Sequence, residues 1–360
     1  MQLRELNLRP FRNFEKKNLC FGSAKTLIHA DNGRGKSNIL EAISYLSLGK
    51  SVRGAKDSQA IPHTGSYFDV RGVFCKGNTK KTIRIFYGKQ EGKKVFLEKE
   101  ALPKISDLVG EFRSVHFSPE DVSLVLRFPK QRRRLLDILI SQARPTYLKD
   151  LQKYRRVLSQ RNKLLRDSRK DAVNARLSQG IDAWDKQVAE YGGAIRLSRI
   201  NAIESMRADF MNYYTMFCPK GECASLDYIG PKAKEIDSLI SEIAEEITKT
   251  RRKEQQRGYT LIGPHRDDVL FRINGQPADE FASEGQLKSV LIAWKLTESR
   301  FINRECKNQP ILLLDDIFSE LDSSRIDRLM ESITEFDQVI TTTPRDIGLE
   351  GLGVFERICF

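Results

Sequence analysis

The stretch HADNGRGKSNILEAI, residues 29–43, has the composition of a phosphate-binding loop that leads into a helix. Gly33, Gly35, Lys36 and Ser37 stand at the places that such a loop requires. In these loops backbone N–H groups surround the phosphates, the lysine meets the β and γ oxygens, and the hydroxyl coordinates Mg²⁺ at the start of the helix. The stretch therefore predicts a nucleotide site, with an accidental glycine-rich turn as the alternative.

The residues around the loop agree with this prediction. TLIHA (26–30) is strand-like, and NILEAISYL (38–46) has the apolar spacing of a helix. Ala30 stands where glycine usually begins the loop; alanine fits if its φ is negative, whereas a left-handed backbone would cost about 1 kcal/mol. We expect a working site that binds more weakly than one with glycine. The predicted nucleotide contacts are Ala30, Asp31, Asn32, Gly33, Arg34, Gly35, Lys36, Ser37 and Asn38.

A second motif, ILLLDDIFSELD at 311–322, joins four apolar residues to two aspartates. This pattern indicates a buried strand that presents carboxylates at its C-terminal end, where ligands of α/β proteins bind. We expect Asp315 to hold Mg²⁺ through water and Asp316 to orient or deprotonate the attacking water. Lys36, which would meet the β and γ oxygens, is the other predicted catalytic residue. The alternative is a strand that ends in a solvated acidic turn.

A third motif, FASEGQLKSVLIAWKLTESRF at 281–301, opens an apolar helix with a short polar turn. A serine hydroxyl and successive N–H groups at a helix start can bind an anion. One chain already supplies a phosphate loop, so this additional one suggests a nucleotide shared between two copies, with Ser283, Gly285 and Gln286 as contacts. The alternative is that Ser283 is an ordinary helix cap.

The composition bounds the class of protein. A chain of 360 residues with 40% hydrophobic and 30% charged residues is long enough for two lobes and typical of a globular protein. No apolar stretch approaches the ~20 residues of a spanning helix, and the first residues alternate between polar and apolar, so we expect a cytoplasmic protein. The six cysteines are scattered, and the pair Cys218 and Cys223 lacks the further ligands of a metal site.

The excess of positive charge is concentrated in one segment. The chain has 61 Lys and Arg against 48 Asp and Glu, a net charge of +13, and residues 127–170 alone hold 15 basic and 3 acidic residues. This concentration favours a nucleic-acid surface, although a solvated helix face is the ordinary alternative. The predicted phosphate contacts, some of which could instead pair with acidic neighbours, are Arg132, Arg133, Arg134, Arg155, Arg156, Arg161 and Lys163.

The order of patterns along the chain predicts a split domain. Residues 1–128 are rich in strand patterns, residues 129–255 are mostly helical, and strand patterns (TLIGP, DDVLFRI, ILLLDD) return in 256–360. A third helix of the middle segment is predicted from Ile236 to Ile247, before the basic patch RRKEQQR. The phosphate-site motifs lie far apart in sequence but need each other in space. We therefore predict an α/β ATPase head with a mixed sheet around the phosphate loop, interrupted by a helical second lobe.

These motifs in this order, with SELD at 319–322 and TTTP at 341–344, resemble the ABC-type ATPase heads of the SMC-like group, and within it the RecF family. Three segments, RRRLLD, QRN and GPHRDD, are particular to RecF-like sequences. Departures from the family pattern are Ala30, Arg127, Glu284, Leu287 and Lys288. The resemblance extends over these segments: FRNF (11–14), NGRGKSNILEAI (32–43), SVRGAKD (51–57), HFSPEDVSLV (116–125), RRRLLD (132–137), LQKYRRVLSQRNKLL (151–165), GPHRDD (263–268), ASEGQLKS (282–289) and LLLDDIFSELD (312–322).

The resemblance implies an ATP- and Mg²⁺-dependent homodimer in which Lys36 and Ser37 of one copy face Ser283 and Gly285 of the other. It places Asp322 at the subunit boundary and residues 341–343, with Thr343 as a contact, near the γ-phosphate. It also implies binding of duplex DNA next to single strand, work with RecR and RecO to place RecA on gapped DNA, and support of the SOS response.

The residues suggest slow hydrolysis, because the short Asp316 stands where many ABC heads have glutamate. Arg53, His265 and Arg266 are weaker candidates for γ-phosphate or interface roles, with a buried ion pair as the alternative for the last two.

Three other functions compete with a DNA-binding ATPase. A nucleotide-binding subunit of a membrane transporter would explain ATP but not the basic helical segment. A non-catalytic, ATP-sensing scaffold for protein assembly would show no DNA affinity at low salt. A structural SMC ATPase is disfavoured, since residues 37–283 must complete the head and leave no room for a long coiled coil.

Overall fold

The computed structural model describes most of the chain, in two compact units. Arg127 and residues 119, 120 and 122–125 of the resembling segment 116–125 lie outside the described residues. The first unit comprises Met1–Ser123, Asn212–Glu222 and Ser283–Phe360, and the second Leu124–Met211 and Cys223–Ala282. The described residues are 1–22, 24–77, 79–118, 121, 128–170, 175–218, 221–231, 233, 235–344 and 355–359, without the side chains of 169, 170, 175–179 and 320.

The boundaries of these units differ from the predicted segments. Residues 256–282 cluster with the second unit, and residues 212–222 with the first. Compactness does not test which segments fold on their own, so the division at residues 128 and 255 stays a prediction.

The first unit contains a parallel sheet of five strands in the order β14-β3-β13-β12-β8. Strands β3, β8, β12 and β13 are buried along nearly their whole length, as is usual where other layers cover a parallel sheet on both faces, whereas β14 is mostly exposed. All five strands run parallel. The carboxyl ends of β3 and β12 therefore point the same way and bring the two phosphate-site motifs to one edge. The strands are β3 (Lys25–His29), β8 (Ser114–Phe117), β12 (Ile311–Asp315), β13 (Val339–Thr343) and β14 (Glu356–Cys359).

An antiparallel sheet of six strands accompanies it, in the order β2-β1-β4-β5-β6-β7. The mixed α/β class is thus confirmed, with the parallel and antiparallel strands in separate sheets. Apolar and polar residues alternate along these strands, so one face is buried and the other is polar. The strands are β1 (Gln2–Leu8), β2 (Lys17–Cys20), β4 (Tyr67–Lys76), β5 (Thr79–Gly88), β6 (Gly92–Leu97) and β7 (Glu100–Ala101).

Helix α1 (Lys36–Leu48) packs against strands of both sheets and fixes the phosphate loop that precedes it. Its apolar side chains share one core with the two sheets. Within this core the rings of Phe11, Tyr45 and Phe68 meet edge to face, with centroids 5.5–5.7 Å apart. The first unit also contains α7 (Glu284–Cys306) and α8 (Ser323–Ile333).

The second unit is mainly helical, with a sheet of three antiparallel strands in the order β11-β10-β9. None of the helices in the described part of the chain has the length and apolar content that crossing a bilayer requires. The elements are α2 (Pro129–Ala143), α3 (Pro145–Lys170), α4 (Ala175–Phe217, whose last residues belong to the first unit), β9 (Ala224–Ile229), α5 (Ile236–Arg257), β10 (Asp268–Ile273), β11 (Gln276–Pro277) and α6 (Ala278–Phe281).

Three local predictions need correction. The predicted strand TLIGP (260–264) is a loop, in which Gly263 has a φ of +109° and Arg266 N–H donates to the Gly263 carbonyl. The helix predicted to end at Ile247 continues to Arg257, so the basic patch RRKEQQR is helical. Strand β9 lies in the segment predicted as helical, because it completes its sheet by pairing with β10 across a distant part of the sequence.

Candidate nucleotide-binding site

The backbone of the phosphate loop explains its glycines. Gly33 and Gly35 have φ values of +80° and +99°, a region that side chains rarely adopt. A Cβ on Gly35 would also lie 2.6 Å from Asn13 and 2.8 Å from Phe14. Ala30 is buried and does not have a positive φ. The condition under which alanine fits this position is therefore met.

Lys36 begins helix α1 and folds back over the loop. Its Nζ donates to the carbonyl oxygens of Ala30, at 2.6 Å, and of Asp31, at 3.0 Å. Burial lowers the pKa of Lys36, while Asp316, Asp315 and Asp31 act to raise it. The helix has no side-chain cap and no acidic residue in its first turn. Its positive end and the ammonium group together suit an anion.

Asp315, at the end of β12, is the centre of the site. Only 3% of it is exposed, and its carboxylate accepts hydrogen bonds from Ser37 Oγ at 2.8 Å, Thr342 Oγ1 at 2.9 Å and Arg53 Nη2 at 2.9 Å. The structure thus brings together the loop serine and the strand carboxylate that the sequence predicts as metal ligands. Arg53, a weaker candidate, is anchored on the same carboxylate.

Asp316 follows in a left-handed conformation, with a φ of +49°. Its N–H donates to Thr342 Oγ1 at 3.0 Å, and its carboxylate accepts a hydrogen bond from Ser319 Oγ. The predicted contact Thr343 is fully buried at the end of β13. Thr342 therefore ties the two aspartates to the neighbouring strand.

Several residues that support the loop had no predicted role. Glu41, fully buried in α1, accepts two hydrogen bonds from Arg12, at 3.0 and 2.7 Å, and one from Ser51 Oγ at 2.5 Å. Asn13 donates to the Arg34 carbonyl at 3.1 Å and accepts from Asn38 Nδ2 at 2.9 Å. The segments FRNF and SVRGAKD contain Arg12, Asn13 and Ser51. These segments were therefore the sequence signal from which a supporting role could have been predicted.

The third motif begins helix α7 with a reciprocal cap. Gln286 N–H donates to Ser283 Oγ at 3.3 Å, and Ser283 N–H donates to Gln286 Oε1 at 2.8 Å. Gln286 Nε2 also donates to Glu222 at 3.1 Å. Ser283 is thus a helix cap, as the alternative stated, and its role toward a second copy's nucleotide stays a prediction.

Asp322 caps helix α8 in a similar way. It accepts a hydrogen bond from the Arg325 N–H at 3.0 Å and forms an ion pair with the Arg325 guanidinium. This backbone hydrogen bond and the guanidinium both lower the pKa of Asp322. Arg325 Nε in turn donates to Ser289 Oγ at 3.0 Å, and its Nη2 would lie 3.4 Å from a Cβ on Gly285. Arg325 therefore links the helix after the strand carboxylates to the third motif.

The donor set fits a nucleotide with a divalent cation. Ser37 and Asp315 offer the hard oxygen ligands that Mg²⁺ prefers, and they already lie within hydrogen-bond distance of each other. The uncapped helix start and Lys36 would hold phosphate oxygens. Bound there, the cation would neutralise charge that develops on the transferred phosphoryl group.

Two of the predicted DNA-binding residues are buried in the second unit. Arg132 is 5% exposed and forms ion pairs with Asp268 at 2.5 Å and Asp279 at 3.2 Å. Arg161 is fully buried and donates to Asp185 and Glu254, each at 2.6 Å. The prediction of phosphate contacts is corrected for these two residues, because the chain itself satisfies their charges.

Other basic residues of helix α3 form an exposed stripe. Lys149, Lys153, Arg156 and Lys163 are all exposed and recur at intervals of three, four or seven residues, so they share one face of the helix. Lys153 Nζ lies over the ring of Tyr191, 5.3 Å from its centroid. We call these four residues the α3 stripe. The predicted residues Arg156 and Lys163 belong to it, whereas Arg133, Arg134 and Arg155 line a pocket elsewhere on the unit.

Comparison with known proteins shows the family of this chain. The family described as RecF/RecN/SMC N terminal domain matches residues 2–358. A protein of Chloroherpeton thalassium named "DNA replication and repair protein RecF" is 36% identical over 354 residues, which cover 96% of this chain and 95% of that protein. The chain belongs to the RecF family.

Further RecF proteins and solved structures extend the likeness. The RecF of Chlorobium phaeobacteroides is 34% identical over 97% of both chains. A structure of the recombination mediator protein RecF-ATP in the RecFOR pathway superimposes with a TM-score of 0.89 at 31% identity, covering 96% of this chain and 92% of that one. An Smc head bound to the C-winged helix domain of ScpA, at 15% identity and a TM-score of 0.55, shares the fold.

The segments that set RecF-like sequences apart meet in the second unit. Arg199 donates to Asp137 at 2.7 Å and to the Pro264 carbonyl at 2.6 Å, and Arg196 donates to Asp267 at 2.9 Å. In this RecF-family chain residues of these motifs therefore build a buried polar network. The network also includes Arg132, Tyr147, Tyr154, Arg161, Asn162, Asp185, Tyr228, Glu254, Thr260, His265 and Asp268.

The weaker candidates His265 and Arg266 belong to the second unit. His265 Nδ1 pairs with Tyr154 OH at 2.7 Å, and its Nε2 lies 3.2 Å from the Thr260 carbonyl. Burial lowers the pKa of His265 to about 4. Arg266 donates to the same carbonyl at 3.2 Å and lies over the ring of Tyr259. These contacts make both residues part of the structure of the loop at 260–266.

Proposed function

We propose that this chain is an ATP-dependent DNA-binding protein of recombinational repair and replication restart. ATP and Mg²⁺ close two copies into a clamp, in which Lys36 and Ser37 of one copy and Ser283, Gly285 and Gln286 of the other enclose the nucleotide. Closure brings two α3 stripes onto one duplex beside a single-strand gap. Slow hydrolysis releases the clamp.

The observation that carries this proposal is the contact of Ser37 with Asp315 beside the uncapped start of helix α1. A cation between a loop hydroxyl and a strand carboxylate is the arrangement by which phosphate loops hold Mg²⁺ and a triphosphate. RecF relatives are named DNA replication and repair proteins, and one solved structure is named RecF-ATP. Both names support ATP and DNA as ligands of this chain.

The partners belong to the same proposal. A neighbouring structure is named for the RecFOR pathway, which supports RecR and RecO as partners, with RecA loaded on gapped DNA downstream. A cytoplasmic location and support of the SOS response follow from that role. Slow turnover agrees with Asp316, whose short carboxylate accepts a hydrogen bond from Ser319.

Binding of a fluorescent duplex with a single-strand gap tests this function. We expect ATP and a non-hydrolysable analogue to strengthen binding and to double the sedimenting mass of wild type but not of Lys36→Ala. ATP-independent monomers that bind DNA equally well in every condition would contradict the clamp.

A matched pair of triple variants tests the α3 stripe as the DNA surface. Lys149→Gln, Arg156→Gln and Lys163→Gln remove exposed charges from the stripe, whereas Lys16→Gln, Lys104→Gln and Lys307→Gln remove as many exposed charges from the first unit. The stripe variant should bind DNA more weakly and lower the slope of log K against log salt by about 0.9 for each lost phosphate contact. Equal slopes in both variants would place DNA elsewhere.

An ATP-sensing scaffold for protein assembly is the second candidate. Membership of the RecF family argues against a transporter subunit. The scaffold requires that the wild-type chain bind no DNA at low salt with or without ATP. The same titration therefore decides between the two functions.

A further inference from the structure

The second unit contains a pocket that the proposed function does not use. It has a volume of about 480 Å³ and lies between the start of α2, the middle of α3, helix α4 and the loop at Pro264 and His265. We call it the α2–α3 pocket. All of its lining residues belong to the second unit.

The pocket combines a basic rim with an aliphatic floor. Lys130, Arg133, Arg134 and Arg155 line it, and the side chain of Arg155 is 60% exposed. Leu151, Leu158, Ile195 and Pro264 supply the apolar surface. A ligand that fills this space must offer both negative charge and a bulky apolar group.

The acidic charge in the lining is already balanced. Among the described residues of the lining, Asp137 is the one carboxylate; it pairs with Arg199, which is 2% exposed, with the rim residue Arg155 at 3.2 Å, and with Tyr147 OH. The His265 ring, whose pKa burial lowers to about 4, adds no charge at neutral pH. The cations of the rim therefore present a net positive field to a ligand.

The side chains that line the pocket suit a peptide better than a nucleic acid. Proteins hold unpaired bases by stacking them on exposed aromatic rings. Among the described residues of this pocket the phenol is that of Tyr154, which is 2% exposed and whose hydroxyl is bonded to His265. The aliphatic floor suits a leucine or phenylalanine side chain, and the rim suits neighbouring carboxylates.

Helix α3 keeps this pocket apart from the α3 stripe. Leu151, Tyr154, Arg155 and Leu158 face the pocket. At 100° per residue, a value that follows from ~3.6 residues per turn, they lie about opposite the stripe residues on the helix. One helix can therefore carry two different ligands on two faces.

We propose that the α2–α3 pocket binds a short acidic segment of a partner protein, with one large apolar side chain seated on the aliphatic floor. Carboxylates of that segment pair with Lys130, Arg133 and Arg155 at the rim. The site neither requires ATP nor overlaps the α3 stripe, so it stands apart from the clamp.

Fluorescence anisotropy of the full chain with labelled ten-residue peptides tests this site. The first peptide carries six aspartates around a central Leu-Phe pair, the second replaces Leu-Phe by Ser-Ser, and the third replaces the aspartates by asparagines. We expect the first to bind at least tenfold more tightly than either of the others. Equal binding of the first two would overturn the proposal, because charge alone would then explain it.

Two variants and a control locate the binding. Lys130→Glu changes an exposed rim residue, and Leu158→Ser removes apolar surface from the floor; each should weaken the first peptide at least tenfold. The stripe triple variant should bind it as wild type does while losing DNA. Unchanged peptide affinity in Lys130→Glu, or loss of single-stranded DNA binding in Leu158→Ser with peptide binding intact, would overturn the proposal.

Discussion

The nucleotide site and the polar network of the second unit are both rich in charged residues, yet they treat charge differently. In the network every buried arginine faces carboxylates of the chain itself, as Arg161 faces Asp185 and Glu254. At the nucleotide site the described hydrogen bonds of Lys36 go to carbonyl oxygens, nearby aspartates act on it without an ion pair, and the helix start beside it has no side-chain cap. Buried arginines that are paired with carboxylates of the same chain stabilise the fold. Uncapped N–H groups beside a lysine can instead bind an anion.

Removing one arginine of the network should have the largest effect on stability. Arg161→Ala leaves the fully buried Glu254 without its guanidinium partner, so we expect the free energy of unfolding to fall by about 3–5 kcal/mol. Urea unfolding followed by circular dichroism measures this loss. Arg156→Ala, on an exposed face of the same helix, should change it by less than about 0.5 kcal/mol. Equal effects would break the comparison.

Removing the cation of the loop should act on binding instead. Lys36→Ala deletes a charged donor at the start of α1, so we expect ATP affinity to fall about 10- to 100-fold, the range for hydrogen bonds to charged groups. Calorimetric titration measures the dissociation constant, with the exposed Lys56→Ala as control. An unchanged dissociation constant in Lys36→Ala would show that ATP does not use this lysine.

Acid should weaken the network through His265. Burial lowers its folded-state pKa to about 4 from the ordinary 6.5, so the unfolded chain binds the proton more readily between these values. Stability from this group is therefore complete above pH 6.5 and is lost as pH falls toward 4. His265→Gln should remove this part of the pH dependence in urea unfolding. His116, whose pKa burial also lowers, keeps its own contribution in that variant; an identical pH profile in both proteins would contradict the assignment.

Changing the unusual loop alanine should have the smallest effect. Because Ala30 does not have a positive φ, glycine there relieves no strain, and Ala30→Gly should lower the free energy of unfolding by about 0.4–1 kcal/mol. ATP affinity should not improve. If Ala30→Gly bound ATP several-fold more tightly, alanine would weaken the site as the sequence predicts, through a cause other than the backbone angle.

The sequence was sufficient to bring the phosphate loop and the strand carboxylate together, and less so for the basic segment. Lys36, Ser37 and Asp315 could be placed because the phosphate loop and the strand carboxylate follow parallel strands that end at one edge. The partners of Arg132 and Arg161 could not, since Asp268 and Glu254 lie 136 and 93 residues away in the chain. Counting charges in a segment does not show which of them the fold will neutralise.

One signal for the burial of Arg161 was nevertheless present. The apolar stripe of α3 includes Leu158 and Leu165, and Arg161 fills the position between them at the same helical spacing. The same spacing, applied to exposed residues, would have added Lys149 and Lys153 to the DNA-binding prediction. Strand β9 and the loop at 260–264 had no such signal in the sequence. The strand forms because it pairs with β10, and the loop is held by the contact of His265 with the Thr260 carbonyl.

The arrangement of residues around helix α3 limits which insertions this chain can accept. The angular position of each residue around the helix decides whether its side chain faces solvent, the network or the pocket. An insertion of one residue after Ser159 would therefore rotate all later residues of the helix by about 100° relative to those before it. Arg161 would then leave its carboxylates, and Lys163 would leave the line of its neighbours. The number of residues in this helix is therefore fixed by the three environments that its successive residues face.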